Sequence, residues 1–259
     1  MAELVVNGVR HHVQRIGSGA RTVVFFHGLV MDNLSSWYFT VANRVARHAS
    51  VLLYDLRGHG RSERPARGYT VAELVADARA LLDAAGVRGP VGVAGNSFGG
   101  LLAVAFAAAC PERVERMALV DAHYSAAGWG DEMAATLSLD GDERDRVIAD
   151  NFQSWLGRHS ERKRTRLART AAALVHETSL VDDIRRSPAL SDEELAAITC
   201  PVLALYGERS DALARGRHLA AVLPACTLEV LPGCTHSVLW EQTERVRDRL
   251  VDWFSAEER

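Results

Sequence analysis

The residues Gly95-Asn96-Ser97-Phe98-Gly99-Gly100 carry the clearest chemistry in this chain. An apolar run, Val91 to Ala94, leads into them and an alanine-rich helical run, Leu101 to Ala109, leads out. A Gly-x-Ser-x-Gly turn between a strand and a helix holds its serine at strained backbone angles and pushes the hydroxyl out at the sheet edge. Side chains at Gly95 and Gly99 would collide with the neighbouring strand and helix, so both positions have to be small. Phe98 starts the helix, where a backbone N–H meets the positive end of the helix dipole and can receive an anion. The chemistry such a turn supports is attack by the Ser97 hydroxyl on a carbonyl. That reading depends on the elements around it.

Those elements follow from apolar patterning. Leu4–Val6 and Val9–Ile16 read as two strands joined by Asn7-Gly8, a strong hairpin signal. The runs Thr22–Phe26, Val51–Tyr54, Val91–Ala94, Met117–Val120, Val202–Tyr206 and Leu228–Leu231 are almost wholly apolar, as strands buried on both faces are. Helical patterns separate them. Ser36 to His48 has helical spacing through Trp37, Val41 and Val45. Thr70 opens a helix with Glu73 three residues on, a capping box, and that helix stops at Gly86. A further amphipathic run extends from Trp240 to Phe254. The alternation predicts an α/β fold: a doubly wound, mostly parallel eight-stranded sheet with the opening hairpin as its antiparallel edge.

One stretch breaks the rhythm. Between about Ser125 and Thr199 there is no strand pattern, and the segment is polar, arginine-rich and helical, with Val147, Phe152, Trp155 and Leu156 on one face. It is too long for a loop. The expected division is a core of residues 1–124 and 199–259 with an inserted helical cap of residues 125–198 over the strands' C-terminal edge, where open sheets bind ligands. Within the cap, Arg158, Arg162, Lys163, Arg164, Arg166 and Arg169 form either a solvated helix face or an anion dock, for a phosphopantetheine or coenzyme A phosphate or for an acidic carrier protein.

The chain has 259 residues and a formal net charge of −3, which gives no reason to expect nucleic acid or an anionic membrane as partner. The N-terminus lacks the pattern of a signal peptide and no apolar stretch is long enough for a membrane span, so a cytoplasmic protein is expected. The four cysteines, Cys110, Cys200, Cys226 and Cys234, have no metal-binding spacing and read as free thiols. There is no Walker loop, no Gly-x-Gly-x-x-Gly after a strand and no His-Glu-x-x-His, so neither metal nor cofactor is expected.

Five separated motifs together resemble the α/β-hydrolase superfamily. They are Phe26-His27-Gly28-Leu29; Asp55-Leu56-Arg57-Gly58-His59-Gly60-Arg61-Ser62; the turn at Gly95–Gly99; Gly207-Glu208-Arg209-Ser210-Asp211; and Gly233-Cys234-Thr235-His236. The resemblance covers the chain apart from the insertion. It implies Ser97 as nucleophile and His236, in the loop after the last strand, as its base. It implies a carboxylate to orient the imidazole, in the order Ser, Asp, His. Asp211 is the expected acid. It stands one residue later than in many relatives, whose acid position is Ser210 here. Glu208 is a lesser candidate, and Asp121, at the end of strand Met117–Val120, is the competitor. The resemblance further implies an oxyanion hole from the backbone N–H groups of Leu29 and Phe98. His27 belongs to the oxyanion segment. His27, His59, His123 and Trp155 are expected near or along the pocket.

The implied activity is hydrolysis of an ester, lactone or acyl thioester of a small to medium acyl substrate, through an acyl-enzyme. The substrate could be free or bound to coenzyme A or a carrier protein, and a biosynthetic thioesterase is one form of this reading. Cleavage of a carbon–carbon bond and cofactor-free perhydrolysis use the same triad and stay open. So does a small-molecule receptor built on the same scaffold. Serine at the turn argues against epoxide hydrolases and haloalkane dehalogenases, which carry aspartate there.

Overall fold

The computed structural model describes residues 2–139, 141, 143, 157 and 160–256. Its centre is a single eight-stranded sheet in the order β1-β2-β4-β3-β5-β6-β7-β8. The strands are β1 (Ala2–Val6), β2 (Val9–Ile16), β3 (Thr22–Phe26), β4 (Ser50–Tyr54), β5 (Val91–Asn96), β6 (Val114–Val120), β7 (Val202–Gly207) and β8 (Cys226–Leu231). β2 runs antiparallel to both β1 and β4, and every other pairing is parallel. The hairpin forms where Asn7-Gly8 predicted it. Both residues have positive φ, 49° and 75°, as a two-residue turn matched to strand twist needs.

Helices cover both faces, so the central strands are buried on both sides. One apolar cluster joins Val24, Leu52, Val93 and Leu119 to helices α2 (Val71–Ala84) and α3 (Phe98–Ala109). The other joins Val23, Leu53, Ala94 and Leu203 to the helical residues 35–45, here α1, and to α10 (Thr243–Ser255). This is why β3, β4 and β7 read as unbroken apolar runs. The Thr70 and Glu73 capping box is present at the start of α2.

Two elements differ from the sequence reading. The middle of α1, Tyr38–Ala42, is wound as a π-helix, and the Trp37 indole N–H donates to the Phe26 carbonyl at 2.9 Å. The amphipathic run after Trp240 is two helices, α9 (Val238–Glu241) and α10, separated at Gln242. The Glu241 carboxylate explains the break. It accepts from the Thr235 N–H at 2.7 Å and the Thr235 hydroxyl at 2.8 Å, which ties α9 back to the loop carrying His236.

Between β6 and β7 the described residues form helices only: α4 (Trp129–Leu137), α5 (Glu161–His176), α6 (Leu180–Arg186) and α7 (Asp192–Ala196). α8 (Leu213–Val222) follows β7. Trp155, together with Val147, Phe152, Leu156 and Arg158, lies outside the described residues. No described helix is long and apolar enough to cross a membrane.

The glycines of the turn after β5 are held by contact with backbone. A Cβ at Gly95 would lie 2.2 Å from the Gly99 carbonyl oxygen, and a Cβ at Gly99 would lie 2.1 Å from that of Phe26. Backbone cannot swing aside as a flexible side chain can. Gly99→Ala is therefore expected to cost about 3 kcal/mol, a fall in Tm of about 6–12 °C for a domain this size, or to prevent soluble expression. Thermal unfolding of the purified variant checks it; a Tm within 2 °C of wild type, taken as about 1 kcal/mol or less, would mean that β3 and α3 yield freely.

Candidate active site

The site gathers at the C-terminal ends of β3, β5, β6, β7 and β8. β5 sits between β3 and β6, with Phe26 opposite Gly95 and Val120 opposite Asn96. Ser97 leaves β5 with φ 52° and ψ −121°, a conformation that disfavours any side chain. Its hydroxyl oxygen lies 2.9 Å from His236 Nε2. The strained turn and the imidazole expected to serve it are thus brought within hydrogen-bond reach.

The carboxylate nearest the other imidazole nitrogen is Asp121, not the expected Asp211. His236 Nδ1 is 2.7 Å from Asp121 Oδ2 and 3.5 Å from Asp211 Oδ1. The Asp121 side chain is 2% exposed and that of Asp211 62%. The reason is topological. β8 is three strands from β5, about 14 Å at ordinary strand spacing, so His236 reaches Ser97 only by crossing back over β7 and β6. Asp121, the first residue after β6, lies beneath that crossing. Asp121 is itself strained, with φ 47°. It is held by its own contacts: Oδ1 accepts from the Gly207 N–H at 2.8 Å, and Oδ2 accepts from the Ser210 hydroxyl. Ser210, one residue before the expected Asp211, thus donates to the carboxylate that lies nearest His236. Asp211 is the outer of two carboxylates around one imidazole. Glu208 points its carboxylate to the Gly233 N–H instead, at 2.8 Å.

Burial pulls the His236 pKa down, but the hydrogen bond and charge of Asp121, with the charge of Asp211 added, outweigh it and leave the pKa raised above 6.5. His123 is also buried, its ring 5.3 Å from that of His236. Burial, with His236 and Arg215 nearby, holds its pKa well below 6.5, so it stays neutral. Asp121, Asp211 and His236 offer atoms within 4.8 Å of one another, a spacing a divalent cation could span. His236 Nδ1 already faces Asp121 at hydrogen-bond distance, so a cation there would have to displace that contact.

The loop after β3 is fixed from both sides. The Gly28 N–H donates to Asp32 Oδ2 at 2.8 Å, and the Val30 N–H donates to His59 Nε2 at 2.8 Å. Leu29 lies between these two anchored amides, and Val30 is forced to φ 64°. His59 Nδ1 is 2.8 Å from the Arg57 carbonyl. An Nε2 that accepts leaves the proton on Nδ1, so His59 is neutral. Burial, with the nearby His27 ring as the next cause, pushes its pKa down to about 3. His27 works in the same way: its Nε2 accepts from the Leu56 N–H at 3.0 Å and its Nδ1 lies 2.7 Å from the Gly28 carbonyl. His27 and His59 were expected to line the pocket. Both lie behind it, stitching the loop 27–30 to the loop 55–62.

A cavity of about 430 Å³ opens over Ser97, within the range of small-molecule sites. Leu29, Asn96, Ser97, Phe98, His123, Asp211 and His236 line its floor. α4 contributes Trp129, Met133 and Leu137, and α5 contributes Ala168, Ala172 and Val175. Asp32, Trp129, Arg215 and Trp240 were not singled out from the sequence. For Asp32 a signal existed, since an aspartate four residues after the Gly28 turn can cap its amide.

Fold and site together define a hydrolase class. Residues 21–243 match the alpha/beta hydrolase fold family, and the chain belongs to that family. It is 32% identical over 230 residues to the 2-hydroxymuconate semialdehyde hydrolase of Pseudomonas putida, covering 83% of this chain and 79% of that protein. It is 36% identical over 126 residues to the dihydrolipoyllysine-residue acetyltransferase component of the acetoin cleaving system of Cupriavidus necator, covering 49% of this chain and 32% of that protein. The chain thus spans about a third of the length of that relative. Among solved structures it is similar to the enol-lactonase from Burkholderia xenovorans LB400, with a TM-score of 0.78, 27% identity, and coverage of 98% of this chain and 100% of that one.

Proposed function

We propose that this chain hydrolyses an ester-type bond, a lactone, ester or acyl thioester, through an acyl-enzyme on Ser97. The observation that carries this is the line Ser97 Oγ, His236, Asp121, with contacts of 2.9 and 2.7 Å. His236 takes the proton from Ser97 as the hydroxyl attacks the carbonyl carbon. Asp121 holds the imidazole with its proton on Nδ1 and stabilises the imidazolium. The carbonyl oxygen becomes an alkoxide, which the N–H groups of Leu29 and Phe98 receive. The imidazolium then protonates the departing oxygen or sulfur. Water, deprotonated by His236, releases the acid and restores Ser97. The helices between β6 and β7 act as the cap that shapes the substrate pocket. A coenzyme A- or carrier-bound acyl group would enter along α5, whose Arg162, Arg164, Arg166 and Arg169 are exposed.

Resemblance to the 2-hydroxymuconate semialdehyde hydrolase over most of the chain supports a second reading, carbon–carbon cleavage on the same triad. An oxygen or sulfur leaving group accepts a proton directly from His236. A carbon leaving group needs a substrate that first delocalises its electrons, so the two readings differ in substrate rather than in the nucleophile. A panel of p-nitrophenyl esters, lactones, acyl thioesters and a vinylogous 1,5-diketone, run on wild type and Ser97→Ala, separates them. Turnover of the diketone alone would overturn the ester reading. A fluorophosphonate that labels wild type and not Ser97→Ala tests the nucleophile itself.

His59 acts here as a positioning residue, through the Val30 amide that it fixes. His59→Phe removes that acceptor and is expected to lower kcat about a hundredfold with KM changed less than threefold, since a misplaced oxyanion donor weakens the transition state more than the ground state. His59→Gln, whose side-chain oxygen can accept the same N–H, is expected to recover part of the loss. Steady-state kinetics on a p-nitrophenyl ester measure both. Equal losses in the two variants would make the role one of packing.

A further inference from the structure

The turn after β7 grips the carboxylate beside His236 from two sides. Asp121 Oδ1 accepts from the Gly207 N–H at 2.8 Å, and Oδ2 accepts from the Ser210 hydroxyl. Oδ2 is also the oxygen 2.7 Å from His236 Nδ1. One oxygen therefore serves two side chains, the imidazole and the serine. Proton counting gives the direction of the serine bond. The Ser210 oxygen already accepts from the Ala212 N–H at 3.0 Å, and an ionised carboxylate can only accept. The other carboxylate oxygen near the hydroxyl, Asp211 Oδ1, is farther off at 3.5 Å. The hydroxyl proton therefore points to Asp121. Ser210 is itself fixed, since its N–H donates to the Gly207 carbonyl at 3.2 Å and its carbonyl accepts from the Leu213 N–H at 3.3 Å. A serine that served the turn alone would need only its acceptor for Ala212, and its proton could go to water. Here the proton meets a buried acid.

A donor on a carboxylate oxygen draws negative charge from it, so that oxygen holds a neighbouring imidazolium less tightly. We propose that Ser210 is a positioning residue that acts through Asp121: it fixes the carboxylate that orients His236, and it loosens the hold of that carboxylate on the proton His236 takes from Ser97. An imidazole that keeps its proton too firmly is already protonated at working pH and cannot act as base. Ser210 and Asp211 thus act on His236 in opposite senses. The hydroxyl dipole favours the neutral ring, and the Asp211 charge favours imidazolium. The other polar groups about the ring and its loop are Ser97 at Nε2, neutral His123 with its ring 5.3 Å away, Glu241 bonded to Thr235, and Arg215, whose charge bears on His123 and which pairs with Glu132. This deepens the ester-type reading and rests on Ser97 as its nucleophile.

Substitution of Ser210 tests it through pH dependence. Ser210→Ala, or Ser210→Gly if alanine does not fold, removes the donor. The acid limb of kcat/KM on a p-nitrophenyl ester is expected to move up by about half a pH unit or more, and kcat on the plateau to fall about fivefold. The direction is opposite to that expected of Asp211→Asn. Ser210→Thr keeps a hydroxyl on the same carbon and is expected to restore the wild-type limb and about half of kcat or more. NMR titration of the His236 ring in Ser97→Ala, with and without Ser210→Ala, is expected to show the same upward shift and needs no turnover. A turn residue without this role would lose stability and leave both titrations in place. A limb or ring titration that stays within about 0.2 units in Ser210→Ala, or moves to lower pH, therefore overturns the proposal. A shift in Ser210→Thr equal to that in Ser210→Ala ties the effect to packing rather than to the hydroxyl and overturns it too. Hydrolysis unaffected by Ser97→Ala would instead remove the nucleophile reading, and the ring titration would still decide whether Ser210 acts on His236.

Discussion

Ser97→Ala is expected to lower kcat by about six orders of magnitude and to abolish fluorophosphonate labelling, because in the proposed mechanism the hydroxyl is the atom that bonds to the substrate carbonyl. A residual rate above that of water would remain, since the proposed donors at Leu29 and Phe98 and the cavity are untouched. The backbone makes this prediction sharper than a loss of activity alone. Ser97 sits at φ 52° and ψ −121°, and alanine there keeps the strain while glycine relieves it. Ser97→Gly is therefore expected to be as inactive as Ser97→Ala, yet more stable than wild type by about 1–2 kcal/mol, or about 2–8 °C in Tm. Thermal unfolding with kinetics on the same preparations checks both. A variant that loses activity and stability together would mean that the serine hydroxyl supports the fold, and the case for stored strain at the nucleophile would fail.

Asp121→Asn is expected to lower kcat about 10⁴-fold. The asparagine amide would present a donor to groups that already donate, the Gly207 N–H, the Ser210 hydroxyl and the proton on His236 Nδ1. The imidazole would turn or change tautomer, and its Nε2 would no longer be free to take the proton from Ser97. Asp211→Asn removes a charge that is 3.5 Å away and open to solvent, so kcat should fall no more than about tenfold. The pH profiles separate the two roles as well. Both carboxylates favour imidazolium, and His236 must be neutral to act as base, so the acid limb of kcat/KM is expected at higher pH in wild type than an ordinary imidazole would set it. Removing the Asp211 charge lowers the His236 pKa and shifts that limb to lower pH. Collapse in Asp211→Asn with only a mild effect in Asp121→Asn would reverse the assignment.

Much of the fold was legible because its signals are local. Strands buried on both faces need unbroken apolar runs, and Thr22–Phe26 and Val202–Tyr206 could be little else. Asn7-Gly8 fits a two-residue hairpin by its tolerance of positive φ, and Thr70 with Glu73 caps α2 through groups three residues apart. Ser97 was legible for the same reason, since Gly95, Gly99 and the flanking patterns all lie within a dozen residues of it. The single amphipathic run after Trp240 was misread because the break at Gln242 comes from a contact of Glu241 with Thr235, which periodicity does not register.

The sequence by itself determined the alternation of strands and helices, the strained turn at Ser97 and a histidine in the loop after the last strand. Tertiary structure decided which aspartate faces that histidine. Asp121 and Asp211 both follow strands and both precede His236, so order along the chain cannot separate them. The choice comes from the lateral order of β5, β6, β7 and β8, which sends His236 back across the sheet and over Asp121. The same holds for His59, whose bond to Val30 joins residues far apart in the chain. Hydrogen bonding is a matter of distance and direction in space, and only the folded chain fixes either.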